Sequence, residues 1–428
     1  MANEASSNAE IRAALRAAGY ELIQFEPRLE GSSKYRPDVL AFASNGQGDL
    51  VPWLVVEVRK GPMKTPELAL PALTQGRELL GTVEHYAVVN GQWYRADRSL
   101  RSFEPVPGPK PLANGANGFL TDPALVTSLL IDKLWFEADK ARMSGARVDN
   151  AFPPVDLIAE TTLPGIETAS GGFVPVRPDV LWQARRRALS AFAARSRHGG
   201  QQASDPVIAE AVAQLLGSKV GGTVLDPFCG TGSFLWAVMD RAAQLDGPAE
   251  FIGRDIDANL AALASEIGRT APMLTFVEAG DAFRSELPEA DAIVTAPPFG
   301  GRVEDRWSLL NGGSTSEHEI AAIDLCLRHL RPGGRAVFHL PSGFTFRHSS
   351  ESYRQFLASE FRVAALIGLP AGTSPGTNIR TVLLVVDRDE PGETFVAQLG
   401  DDWRTQLTGE GTVVRAALGH IDGLPESD

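Results

Sequence analysis

The chain has 428 residues, a 43% apolar share and a formal net charge of −13, which allows two or three domains with real cores and excludes a coat of basic surface. No apolar run reaches membrane-spanning length and the polar, alanine-rich start is not a signal peptide, so no membrane partner is expected. Cys229 and Cys326 are too few for a disulfide framework or a zinc cluster, and a reducing, cytoplasmic setting is the default.

Asn8 to Ala18 reads as a helix with Ile11 and Leu15 on one stripe and Gly19 as its stop. Tyr35 to Phe42 and Val51 to Lys60 read as strands joined through Asn45-Gly46. Glu57 interrupts an otherwise apolar run, and a carboxylate there is costly to bury unless it binds something. Asp38 on the neighbouring strand completes an oxygen pair suited to a divalent metal. This arrangement resembles the restriction-endonuclease-like fold, written PD…(D/E)xK, and in particular the amino-terminal domain of type I restriction subunits. The resemblance implies Mg2+ held by Asp38 and Glu57, a helix carboxylate at Glu10, and a lysine two residues after Glu57. That last position is Arg59, and Lys60 falls on the opposite face unless the strand end at Gly61-Pro62 lets it swing in. Arginine stays protonated and passes protons poorly, so a retained fold with a lapsed cutting site is the competing reading.

The proline-rich stretch 104–112 reads as a linker. Ala124 to Ala141 reads as an amphipathic helix, residues 145–180 carry little periodic signal, and Leu181 to Arg197 is helical again. The last contains Arg185, Arg186, Arg187, Arg195 and Arg197, either a phosphate-contacting face or a solvated one.

A further helix follows in 199–216, started by Ser204 or Asp205 as cap with Pro206 in the first turn. Next comes Asp226-Pro-Phe-Cys-Gly-Thr-Gly-Ser-Phe234, a strand end, a tight turn and a helix start. Gly230 and Gly232 let the turn take unusual dihedrals and let a ligand approach bare backbone. Asp255 ends the next strand with Asp257 as a helix cap, and Asp281 ends a third. Three acids (Asp226, Asp255, Asp281) at the ends of successive strands form a stronger pattern than any one alone. The fourth strand runs into Ala296-Pro297-Pro298-Phe299, followed by a polar, glycine-rich loop to Ile320. Helices and strands then alternate to Asp387, which calls for a doubly wound α/β sheet.

The glycine turn, "LRPGGRAVFHLPSGF" and "ALIGLPAGTSPGTNIRTVLLVVD" together resemble the adenine-specific DNA methyltransferases, above all the modification subunits of type I restriction systems. The resemblance covers most of 199–390. It implies a Rossmann-like, seven-stranded S-adenosylmethionine-dependent methyltransferase fold, preceded by the small α/β restriction-endonuclease-like domain. It also implies S-adenosylmethionine bound by Ser204, Asp205, Asp226, Pro227, Phe228, Gly230, Gly232, Asp255 (ribose hydroxyls) and Asp281 (adenine amine). Catalysis would fall to residues 296–299: an Asn, Asp or Ser oxygen and a proline carbonyl accept from the target amine, and the aromatic residue stacks on a flipped base. Here Ala296 stands in the acceptor's place, and losing one preorganised polar group typically costs about 3 kcal/mol or more.

The expected division is a nuclease-like domain at 1–110, a linker and helical bridge at 111–198, the methyltransferase-like domain at 199–400 and a tail at 401–428. The leading functional reading is an adenine methyltransferase of a restriction–modification or phage-defence system, acting on double-stranded DNA. No long segment remains for a target-recognition domain, since residues 390–428 are too short and the bridge is modest in size, so a separate specificity subunit is expected. The alternative is a catalytically impaired component that binds cofactor and DNA, favoured by Ala296 and Arg59. A third reading, a glutamine or RNA methyltransferase, shares the Pro-Pro-aromatic loop but not the closing strands.

Overall fold

The computed structural model describes residues 2–27, 35–113, 117–145, 165–167, 173–194, 204–245, 249–374 and 378–423. They fall into two compact units, one ending at Phe192 and the other running from Ala193 to the carboxyl end. The expected bridge is therefore not a separate piece: its described parts up to Phe192 belong to the first unit. Arg195 and Arg197 lie outside the described residues.

The first unit begins with α1 (Ala2–Ala17), then β1 (Ile23–Phe25), β2 (Val39–Ser44), β3 (Asp49–Arg59), α2 (Leu70–Leu80), β4 (Glu84–Val89), β5 (Gln92–Ala96), β6 (Phe103–Val106) and β7 (Phe119–Leu120). Strands β1 to β6 lie in sequence order, and β7 pairs with β3. Asn45 turns β2 into β3 by accepting the amides of Gln47 and Asp49, with Gly46 at φ 81°. β3 and β4 are parallel, which requires a crossover, and α2 supplies it. Ile11 and Leu15 of α1 pack on Val39, Leu54, Val56 and Val88 of the sheet. The unit closes with α3 (Pro123–Met143), β8 (Gly165–Glu167), β9 (Phe173–Pro175) and α4 (Pro178–Ala194). Arg185 is buried on α4, so the arginine cluster is not uniformly a solvated face.

The second unit contains α5 (Pro206–Leu215), β10 (Gly222–Asp226), α6 (Ser233–Gln244), β11 (Ala249–Asp255), α7 (Ala258–Gly268), β12 (Thr275–Ala279) and β13 (Ala290–Thr295). There follow β14 (Arg302–Ser308), β15 (Ser314–Glu317), α8 (His318–His329), β16 (Leu330–Pro341), α9 (Gly343–Phe346) and α10 (Glu351–Glu360). β17 (Arg362–Leu369), β18 (Thr381–Asp387), β19 (Phe395–Gln398), α11 (Trp403–Gln406) and α12 (Thr412–Asp422) complete it. The main sheet runs β12-β11-β10-β13-β16-β18-β17-β19. Its first five strands are mutually parallel, β18 is antiparallel to both neighbours, and β19 adds parallel to β17. Among the described residues the sheet has eight strands, one more than the expected seven, with β19 at the edge beyond β17. Parallel strands covered on both faces need continuous apolar runs, and the fully buried Ala292-Ile-Val294 of β13 is one.

Two sequence expectations change here. The polar loop after Phe299 is a hairpin, β14–β15, held by the fully buried Asp324 of α8. Asp324 accepts from the Trp307 indole at 2.9 Å, the Leu310 amide at 2.7 Å and the Tyr353 hydroxyl at 3.0 Å. The expected tail is integrated as well, because Asp422 of α12 lies 3.0 Å from the Arg335 guanidinium and accepts the Ser218 amide at 2.9 Å.

Candidate functional site

β10 delivers Asp226 to the sheet's carboxyl edge, where the chain turns through Pro227 to Gly232 before α6. Gly230 and Gly232 both have positive φ, 55° and 81°. A Cβ on Gly232 would lie 2.4 Å from the Trp236 ring, whose indole N–H donates to the Thr231 carbonyl at 2.8 Å, so glycine is required for the ring to close the turn. The end of β11 anchors the other side. Asp255 accepts the Gly230 amide on one oxygen at 2.7 Å and the Asp257 amide on the other at 2.9 Å. Each carboxylate oxygen retains a further lone pair for a ligand hydroxyl. Asp257 caps α7 by accepting from Asn259 and Leu260, as its spacing implied.

Asp226 is 2% exposed and accepts the Phe228 amide at 3.1 Å. Burial pushes its carboxyl up to about 7, with the neighbouring Asp255 charge acting in the same direction. No cationic side chain pairs with it among the described residues, so a cationic ligand group is the natural complement. Burial raises Asp255 too. Of the two expected caps of α5, Asp205 does the work: it accepts the Val207 amide at 2.9 Å and pairs with Arg404 at 2.6 Å.

β13 ends at Thr295 and releases Ala296-Pro297-Pro298-Phe299 over the same edge. The Gly300 amide donates to Glu319 Oε1 at 2.7 Å, and the Phe299 ring stands edge-on to the His339 imidazole at 5.6 Å. A cavity of about 890 Å³ joins the two groups, lined by Ser204, Asp205, Asp226, Phe228, Gly230, Asp255 and all of 296–299. That volume suits a nucleoside-sized ligand with room beside it. Pro227, Gly232 and Asp281 are outside its lining. Asp281 instead accepts the Phe283 amide at 3.0 Å and lies 3.5 Å from Arg284. Sequence reasoning missed Glu319, His339, Ile256, Leu260 and Arg347 in the wall. A histidine inside the apolar run Ala336-Val-Phe-His-Leu340 was the available signal for His339.

The carboxylate pair of the first unit has a different character. Arg59 bridges it, with one guanidinium nitrogen 2.9 Å from Glu57 Oε2 and another 3.1 Å from Asp38 Oδ2. Asp38 also accepts the Val58 amide at 2.7 Å. Strand alternation does put residues 57 and 59 on one face, and there arginine sits against both acids. Glu57 is 3% exposed with a buried, unpartnered Oε1. Burial and the Asp38 charge push it up to about 7 against the opposing pull of Arg59. Glu10 is exposed on α1, and Lys60 is exposed just past the strand end; neither bonds to the pair. A cation already occupies the position between the carboxylates, so these residues do not fit the expected Mg2+. No cluster of three or more metal-ligating side chains occurs among the described residues.

Comparison with known proteins matches residues 177–404 to the family model of the N-6 DNA methylases. The methylase subunit of the Escherichia coli type I restriction enzyme EcoEI is 25% identical over 192 residues, covering 40% of this chain and 39% of that protein. The tRNA (guanine(6)-N2)-methyltransferase of Thermus thermophilus is 29% identical over 164 residues, covering 34% of this chain and 44% of that protein. The chain thus spans less than half the length of these two relatives. Among solved structures, the type I restriction-modification methyltransferase subunit of Streptococcus thermophilus aligns with a TM-score of 0.47 at 18% identity, covering 59% of each chain.

Proposed function

The chain belongs to the N-6 DNA methylase family, and on that premise we propose that its second unit is an S-adenosylmethionine-dependent adenine methyltransferase of a restriction–modification system, built on the Rossmann-like methyltransferase sheet. The observation that carries this reading is the shared cavity, which puts the glycine turn, Asp226 and Asp255 in one wall and residues 296–299 in another. When bound, S-adenosylmethionine supplies a methyl group activated on a sulfonium. The buried Asp226 suits the cofactor's cationic end, Asp255 accepts from the ribose hydroxyls, and Phe228 and Leu260 offer apolar wall. Ser204 and Asp205 stand at the start of α5 on the same cavity. Phe299 stacks on an adenine turned out of double-stranded DNA, and the Pro297 carbonyl accepts from its 6-amino group. Asp281 lies outside the cavity lining, and the role at the adenine amine expected of it has no support from the cavity.

Sequence choice then rests with a separate specificity subunit, and the acidic chain works in the cytoplasm. The first unit is a restriction-endonuclease-like module whose cutting site has lapsed, since Arg59 holds Asp38 and Glu57.

A second reading, a component that binds cofactor and DNA without catalysis, is favoured by Ala296. Both readings are separated by incubating the chain and Ala296→Asn with S-adenosylmethionine and unmethylated duplex DNA and measuring N6-methyladenine by mass spectrometry. The enzyme reading expects product from the parent chain and more from the variant. Two inert proteins that nonetheless bind cofactor support the second reading.

A further inference from the structure

His339 is a buried titratable residue in the cavity wall for which the family reading has no role. It sits on β16, 3% exposed, with its ring edge-on to Phe299. Hydrogen-bond chemistry determines which of its nitrogens carries the proton. The Thr373 hydroxyl lies 3.2 Å from the Pro370 carbonyl, which can only accept, so the single Thr373 proton goes there. Thr381 lies 3.1 Å from Thr373 and must donate to it. With its only proton committed, the Thr381 oxygen can only accept from His339 Nε2, 2.9 Å away. Nε2 therefore bears the hydrogen and Nδ1 bears the lone pair. Among the described residues Nδ1 has no hydrogen-bond partner. Burial also pulls the imidazolium down to about 4, so the ring is neutral at ordinary pH.

The cavity wall thus includes a residue with a neutral acceptor nitrogen, its ring 5.6 Å from Phe299 of the loop that carries Ala296. We propose, on the basis of the methyltransferase reading, that His339 Nδ1 accepts a hydrogen of the target amine in place of the side-chain oxygen absent at Ala296. His339 is then a catalytic residue. The amine lone pair forms the new N–C bond as the methyl donor's C–S bond breaks and leaves its electron pair on sulfur. The proton shed by the methylated nitrogen passes to Nδ1 and on to water. Thr381 and Thr373 are positioning residues that hold the tautomer.

The test combines nitrogen-15 NMR of the full chain labelled at histidine with methyl-transfer kinetics, using S-adenosylhomocysteine and adenine-containing duplex DNA as probes in the NMR arm. The expected results are an Nε2–H tautomer for His339, assigned by its loss in His339→Leu, and a shift of the Nδ1 resonance when DNA is added. In kinetics, His339→Leu lowers kcat by about a hundredfold or more with cofactor affinity kept, and Ala296→Asn in that background restores turnover. An Nδ1–H tautomer overturns the assignment on the unaltered chain, independently of any variant's folding. A parent chain that methylates DNA no faster than His339→Leu overturns the assignment but not the function. A parent that binds cofactor and never methylates DNA, with its specificity subunit supplied, overturns both.

Discussion

Asp255 accepts the Gly230 amide at 2.7 Å, tying the end of β11 to the glycine turn that follows β10. The same carboxylate holds the Asp257 amide, so it shapes the wall of the cavity before any ligand arrives. Asp255→Ala frees both amides and removes the proposed ribose acceptor. A buried group left without its partner costs about 1–3 kcal/mol, which predicts a loss of cofactor affinity of about fivefold or more by calorimetry. An unchanged affinity contradicts the role assigned to Asp255.

Arg59 bridges Asp38 and Glu57 in the first unit. Manganese binding followed by electron paramagnetic resonance should be the same for the parent and Glu57→Gln, because the pair is closed to cations. Arg59→Ala removes the bridging charge and leaves Glu57 with a buried carboxylate to satisfy. It should destabilise the unit by about 1–3 kcal/mol in denaturant and increase manganese binding. Loss of manganese in Glu57→Gln points instead to a working metal centre.

Asp226 makes stability depend on pH. Its folded value of about 7 exceeds that of a carboxyl in the unfolded chain, so over that interval the folded state holds more protons. Its contribution to stability is greatest below about pH 4 and declines as pH rises toward about 7. Asp226→Asn removes this titration. Denaturation midpoints of the variant relative to the parent should rise across that window and level off above it. A constant difference contradicts the burial argument.

Arg335 joins three distant parts of the second unit. It pairs with Asp387 at 2.6 Å and Asp422 at 3.0 Å and donates to the Leu216 carbonyl at 3.1 Å, while only 1% of it is exposed. Removing one partner of a buried pair costs about 3–5 kcal/mol, so Asp387→Ala should lower the unit's unfolding free energy by that order. Asp422→Ala should cost less, since Asp387 remains. Two silent variants leave the carboxyl-terminal helix without its assigned structural role.

Local chemistry was the legible part of this chain. The glycine turn, the Asp257 cap and the start of α5 each depend on residues within a few positions, and each forms where the sequence put it. The hairpin β14–β15 was unreadable because its determinant, Asp324, lies beyond it on α8 and acts through Trp307 and Leu310. α12 was equally hidden, since the bond from Asp422 to Arg335 joins residues far apart in sequence. Strand alternation put Glu57 and Arg59 on one face and Asp38 on the neighbouring strand, but only the bridging distances show arginine seated between the two carboxylates. His339 looked like an irregularity in an apolar strand, because its meaning depends on Thr373 and Thr381 across the sheet.

The central claim is that the cavity between the glycine turn and residues 296–299 holds S-adenosylmethionine. Isothermal calorimetry of the full chain with S-adenosylhomocysteine tests it without requiring turnover, a DNA target or a partner. The account predicts saturable binding that is weakened in Asp255→Ala. An absence of binding at millimolar ligand, by a chain shown to be folded, would contradict it.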